Sequence, residues 1–148
     1  MSSYAQSAGN MPETTFVLDA SAILRFLARE SGADKVFQIF RSKSLEECHI
    51  VASSIHWGEV ASVLMRRSGA HDVRQILKEL EIIGIEIIPV TGGRAVRAAE
   101  IQARLKLPYV DSFGIELAHD SPSHIFVTAD FDFKPAANEV QIEFLPVK

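Results

Sequence analysis

Apolar runs rich in valine and isoleucine alternate with helical patterns along almost the whole chain. TFVLD (residues 15–19) reads as a fully buried first strand, because a short continuous apolar run has no polar face to offer solvent. A short helix is expected from about Ser21 to Ala28, with Gly32 as its break, and a second amphipathic helix from about Asp34 to Lys43. HIVAS (49–53) is the second strand, after which Ser53 or Ser54 caps a helix lasting to Arg67, where SGAHD marks a turn. Asp72 to Ile83 form another helix, broken at Gly84, and IEIIPV (85–90) is the third strand. Thr91 caps a long helix to about Leu105, and LPYV (107–110) reads as a connector into a short helix starting at Asp111. SPSH punctuates the chain before IFVTA (125–129), the fourth strand, and VQIEFLPV (140–147) supplies a fifth.

Such alternation predicts an α/β fold: one domain over 14–148, with a mostly parallel five-stranded sheet covered by helices on both faces. Residues 1–13 read as a disordered tail, and Met11 as a possible later start. In open sheets of this kind ligands bind beyond the carboxyl ends of the strands, near the switch in strand order.

Composition narrows the function classes. At 148 residues and 47% hydrophobic the chain has material for a real core. Its single cysteine, Cys48, excludes an internal disulfide and a cysteine-based zinc site and fits a reducing cytoplasmic setting. The first residues lack the basic and apolar regions of a secretory signal, and IIGIEIIPV is too short to span a bilayer. Net charge of −4 argues against nucleic-acid binding by bulk charge. Basic residues are grouped: Arg66 and Arg67 end one helix, and Arg94, Arg97, Arg104 and Lys106 line another. Solvated helix faces and partners for helix C-terminal dipoles explain them more readily than phosphate contacts do.

Four acids occupy costlier places. Asp19 and Asp130 lie just past strand ends, Asp111 opens an apolar helix, and Glu59 projects between Ile55 and Val63 in an apolar stripe. Each has a plain structural explanation. Asp19 and Asp111 are good helix caps, Glu59 fits a salt bridge, and turn chemistry accounts for Asp130, with Asp132 competing for the same place. Four acids converging on one end of a sheet point instead to a hard-cation site for Mg2+ or Mn2+. His49, His56, His71, His119 and His124 lack paired metal spacing, so local roles are expected of them. A phosphoaspartyl enzyme of the haloacid-dehalogenase kind needs an acid where this chain has Ser21, and the early acidic pair of a receiver domain is missing.

VLDASAIL, the helix-borne Glu59, DSFGIELA and VTADFDF, in this order, resemble the PIN-domain nucleases, most closely VapC-type ribonuclease toxins of toxin–antitoxin pairs. The resemblance covers essentially everything after the tail. It implies a metal-dependent endoribonuclease in which Asp19, Glu59 and Asp111 match three core acids and Asp130 the fourth, with Ser21 and Thr128 in supporting hydroxyl positions. Ser112 stands where such proteins usually carry alanine. A homodimer, an RNA substrate and a VapB-like antitoxin partner are implied as well. A housekeeping RNA- or DNA-processing nuclease and a catalytically silent binding module are the alternatives, since fold and site alone do not fix the substrate.

Overall fold

The computed structural model describes residues 13–146; positions 1–12, most of the segment read as a tail, and 147–148 lie outside them. Five strands form one sheet: β1 (Thr14–Leu18), β2 (Cys48–Ser53), β3 (Ile85–Ile88), β4 (His124–Thr128) and β5 (Gln141–Phe144). Their order is β3-β2-β1-β4-β5, and every neighbouring pair is parallel. The helices are α1 (Ala20–Ala28), α2 (Ala33–Ser44), α3 (Ser54–Ser68), α4 (Ala70–Ile82), α5 (Gly92–Leu105) and α6 (Tyr109–Ala118), and a 3-10 helix, Phe131–Asn138, joins β4 to β5. Among the described residues no helix is long and apolar enough to cross a membrane.

Two cores explain why the strands read as unbroken apolar runs. Successive strand residues point to opposite faces, so Leu18, Ile50 and Val127 pack with Ile23, Val36, Val60 and Val73 from α1 to α4. Their neighbours Val17, Val51 and Phe126 pack on the other face with Ile101, Ile115, Leu117 and Phe133. Neither face of the central strands is left for water.

The strand order places the site. From β1 the chain steps outward to β2 and β3, then returns through α5 and α6 to β4 on the opposite side of β1. Connections leaving the carboxyl ends of β1 and β4 therefore diverge, and it is outside such a switch point that open sheets of this kind bind ligands. Asp19 follows β1 directly, and Asp130 lies two residues past β4.

Two expectations need correction. LPYV is not wholly a connector: α6 begins at Tyr109 with Pro108 as its cap, and the Ser112 hydroxyl donates to the Pro108 carbonyl at 3.0 Å. Asp111 therefore lies inside the first turn and caps nothing. In α3 the buried row is His56, Val60 and Leu64. Glu59 stands at the edge of that row, its side chain 43% exposed, rather than within an apolar stripe.

Candidate active site

Asp19 is the fixed point of the switch region at the end of β1. As the cap of α1 its Oδ1 accepts from the Ala22 amide at 2.9 Å and from the Ser21 hydroxyl at 2.7 Å, while Oδ2 accepts from the Thr128 hydroxyl at 2.6 Å. The Ser21 oxygen also accepts from the Ala129 amide at 2.9 Å, and the Thr128 oxygen from the Asp130 amide at 3.0 Å. This knot ties the end of β1 to the end of β4 and holds the carboxylate by both of its oxygens. Burial raises the Asp19 pKa above the ordinary aspartate value, and the bonds from Thr128, Ser21 and Ala22 oppose that rise without cancelling it.

Asp111 feels the charges of the other three acids. Burial raises the Asp111 pKa first, and the charges of Asp130, Glu59 and Asp19 raise it further. Asp130 caps the 3-10 helix, its carboxylate accepting from the Asp132 amide at 2.9 Å. Asp132 is exposed, and of the two acids in TADFDF it is Asp130 whose charge acts on Asp111.

His56 sits among these acids, and nothing in its spacing revealed it. It is 1% exposed, with Nε2 at 2.9 Å from the Val110 carbonyl and 4.0 Å from Glu59 Oε1. Its ring thereby joins α3, which carries Glu59, to the turn that carries Asp111, and it opposes the upward shifts of both Asp19 and Asp111. Gly114 makes this approach possible. A Cβ there would stand 3.1 Å from His56 Cε1 and collide with the Phe126 ring. A histidine in a core row is legible only once the partner across the fold is known.

Among the described residues no lysine or arginine pairs with any of the four acids. All-oxygen donors without a neutralising cation have the chemistry that Mg2+ or Mn2+ requires. Their placement is looser than a finished cage: among the described residues no three histidine, cysteine or acidic side chains stand close enough to hold an ion as placed. The donor set fits a hard cation in kind. Glu59, half exposed and with only the distant His56 contact among the described residues, has the freedom to close it.

The arginines divide. Arg94 is 15% exposed and spans Glu116 (3.0 and 3.1 Å) and Asp120 (2.6 and 3.0 Å), and Arg97 Nε adds a bond to Glu116 at 3.0 Å. Glu116 is buried, so these pairs pin α5 to α6, and the Arg94 charge is compensated within the fold. Arg94 is therefore neither on a solvated helix face nor free for phosphate, the two readings its sequence position allowed. Arg97 is 56% exposed. Arg66 and Arg67 are exposed at the end of α3, and Arg66 donates to Ser62 at 3.0 Å. Arg66 also lies seven residues past Glu59, on the same face and about 10 Å along the axis.

A family model described as the PIN domain matches residues 16–139, most of the chain. The chain belongs to the PIN-domain family. No curated protein matches it. Among solved structures this PIN domain is similar to a chain of VapBC2 from Rickettsia felis bound to a promoter DNA fragment, with a TM-score of 0.67 and 14% identity over 90% of this chain and 100% of that one. It is similar to a chain of DNA-bound VapBC from Salmonella typhimurium, with a TM-score of 0.65 and 16% identity over 88% and 98% of the two chains. A third is VapC20 from Mycobacterium tuberculosis, described as a Sarcin–Ricin loop cleaving toxin, at 0.62 and 16% over 88% and 99%. At these identities the likeness is one of fold.

Proposed function

We propose that this PIN domain is a divalent-metal-dependent endoribonuclease and the toxin of a toxin–antitoxin pair. The observation that carries the nuclease reading is Asp19 fixed at the end of β1 by Ser21, Thr128 and the Ala22 amide, with His56 linking the Glu59 helix to the turn that bears Asp111, and none of these acids paired with a lysine or arginine among the described residues. In this reading Asp19 and Asp111 ligate Mg2+ or Mn2+ directly, Glu59 does so directly or through water, and Asp130 serves a second ion or orients the attacking water. Bound metal lowers the pKa of a water and stabilises charge on the leaving oxygen during in-line hydrolysis of a phosphodiester.

The chain's own residues supply the rest. Ser21 and Thr128 hold Asp19 in one orientation, and His56 sets the turn bearing Asp111 against the helix bearing Glu59. Arg66 and Arg67 bind substrate phosphate in line with Glu59, with Arg97 a lesser contributor and Asp132 at the rim. Likeness to a toxin described as cleaving the Sarcin–Ricin loop supports RNA as the substrate. Likeness to VapBC complexes supports a VapB-like antitoxin partner, and a homodimeric, cytoplasmic protein is part of the same proposal. A basic side chain from such a partner has the charge to occupy the acidic site in place of metal.

The test is cleavage of structured cellular RNAs by the purified protein, with the cut ends mapped. RNA is cut with Mg2+ or Mn2+ and spared with chelator, and Asp19→Asn lowers the rate on the order of 10²-fold or more. Asp19→Asn cutting as fast as wild type would show the site to be wrongly assigned.

A further inference from the structure

Phe131 follows Asp130 directly and is 40% exposed, although it is an aromatic residue in a segment that already has a core anchor. That anchor is Phe133, 2% exposed and packed edge-on against Phe126 with ring centroids 4.8 Å apart. Phe131 instead lies parallel to Phe144 at the end of β5, with centroids 5.2 Å apart and planes 7° from parallel. Lys134, three residues on and therefore on the same side of the 3-10 helix, places its Nζ 5.5 Å from the centroid of the Phe131 ring. The backbone beneath is held by the Asp130 cap and by the Phe133 anchor. Phe131 is thus a ring backed on one face by another ring, accompanied by a cation and one residue from an acid of the site.

We propose that Phe131, backed by Phe144, is a stacking platform for an unpaired nucleobase of the substrate beside the scissile phosphate, and that Lys134 binds a neighbouring phosphate of the same strand. The proposal rests on the nuclease reading and narrows its substrate to a single-stranded segment. Every base has a π face, so stacking on an aromatic side chain tolerates any sequence but requires the base to be out of a duplex. Lys134 is exposed on a flexible stem, so it can leave the ring for a phosphate when a base takes its place. The platform stands at the opposite edge of the site from α3: Asp130 joins it to the β4 side, while Glu59 and Arg66 belong to the helix after β2. A strand lying across the acids therefore meets phosphate contacts on one side and a stacking surface on the other.

The test is binding of a short single-stranded RNA carrying 2-aminopurine, followed by fluorescence in chelator so that nothing is cut. Phe131→Leu keeps an apolar contact with Phe144 but removes the π face, and it should weaken binding about ten-fold, within the range for loss of one stacked base. Phe131→Trp should match wild type. A duplex of the same sequence should bind wild type and Phe131→Leu equally, and Lys134→Ala should lower the slope of log affinity against log salt by about 0.7. Equal single-strand affinity of Phe131→Leu and wild type, with melting curves showing both folded, overturns the platform; if wild type still cuts RNA with metal, the nuclease reading stands. Wild type that neither binds nor cuts RNA overturns both.

Discussion

Burial and its acidic neighbours both oppose ionisation of the Asp111 carboxylate, and this has a measurable sign. Its folded pKa is raised above the unfolded value, so its contribution to stability is fully present below the unfolded pKa, about 3.9, and is lost as pH rises through the folded pKa. Asparagine carries no charge to repel and, because Asp111 caps nothing, gives up no capping bond. Asp111→Asn should therefore stabilise the metal-free protein at pH 7 by on the order of 1 kcal/mol, roughly 3 °C in Tm. The gain should shrink as pH falls and vanish below about pH 4. Melting curves at several pH values check this, and a gain independent of pH would contradict it. Asp19 is less suited to the same experiment. Asparagine there turns an amide toward the Thr128 hydroxyl, which now donates to Asp19 at 2.6 Å while accepting from the Asp130 amide, so losses in the knot would mask any relief of repulsion.

The position of α6 against the sheet decides where Asp111 and His56 meet, and Gly114 is the contact that allows it. Alanine favours a helix over glycine by about 1 kcal/mol, but a methyl at Gly114 collides with the ring of Phe126, which is fully buried and has nowhere to move. Overpacking of this kind costs about 1–3 kcal/mol, so Gly114→Ala should lower Tm by several degrees in thermal melts despite its better helix propensity. A rise in Tm would show that α6 is free to shift. The strands and the acids at their ends were legible in the sequence because valine and isoleucine runs, with Asp19 and Asp130 just past them, are local patterns. The start of α6 was not. Tyr109 and Val110 have weak helix propensity and are held by partners that local patterns do not name: the Tyr109 hydroxyl donates to the Ala95 carbonyl at 3.4 Å, and the Val110 carbonyl meets His56. The rotation of α3 was misread for a related reason. Ile55, Val60, Val63 and Leu64 surround much of that helix, so its pattern offers two stripes, and the buried one contains a histidine. The Arg94–Glu116 pairing was invisible because it joins two helices through residues 22 positions apart.

For the whole molecule, the proposed activity has a consequence in the cell. Induced alone in bacteria, the protein should arrest growth, and co-expression of an adjacent small gene with a DNA-binding N-terminal region should restore it. Normal growth at high levels of soluble protein would favour a housekeeping nuclease instead. The fold itself holds the acids at one end of a parallel sheet, tied through Asp19, Thr128 and His56 to three separate elements. An ion bound there therefore joins parts of the chain that separate on unfolding, and the domain melts later by an amount that grows with the logarithm of free ion concentration above Kd. The most direct test of the shared carboxylate site is thus the melting of wild type and Asp111→Asn with and without Mn2+, at fixed ionic strength. At a hundred-fold excess over Kd the ion should stabilise wild type by about 2.7 kcal/mol, several degrees in Tm, and should shift Asp111→Asn far less. An equal shift in both proteins would contradict the claim that these acids form one metal site.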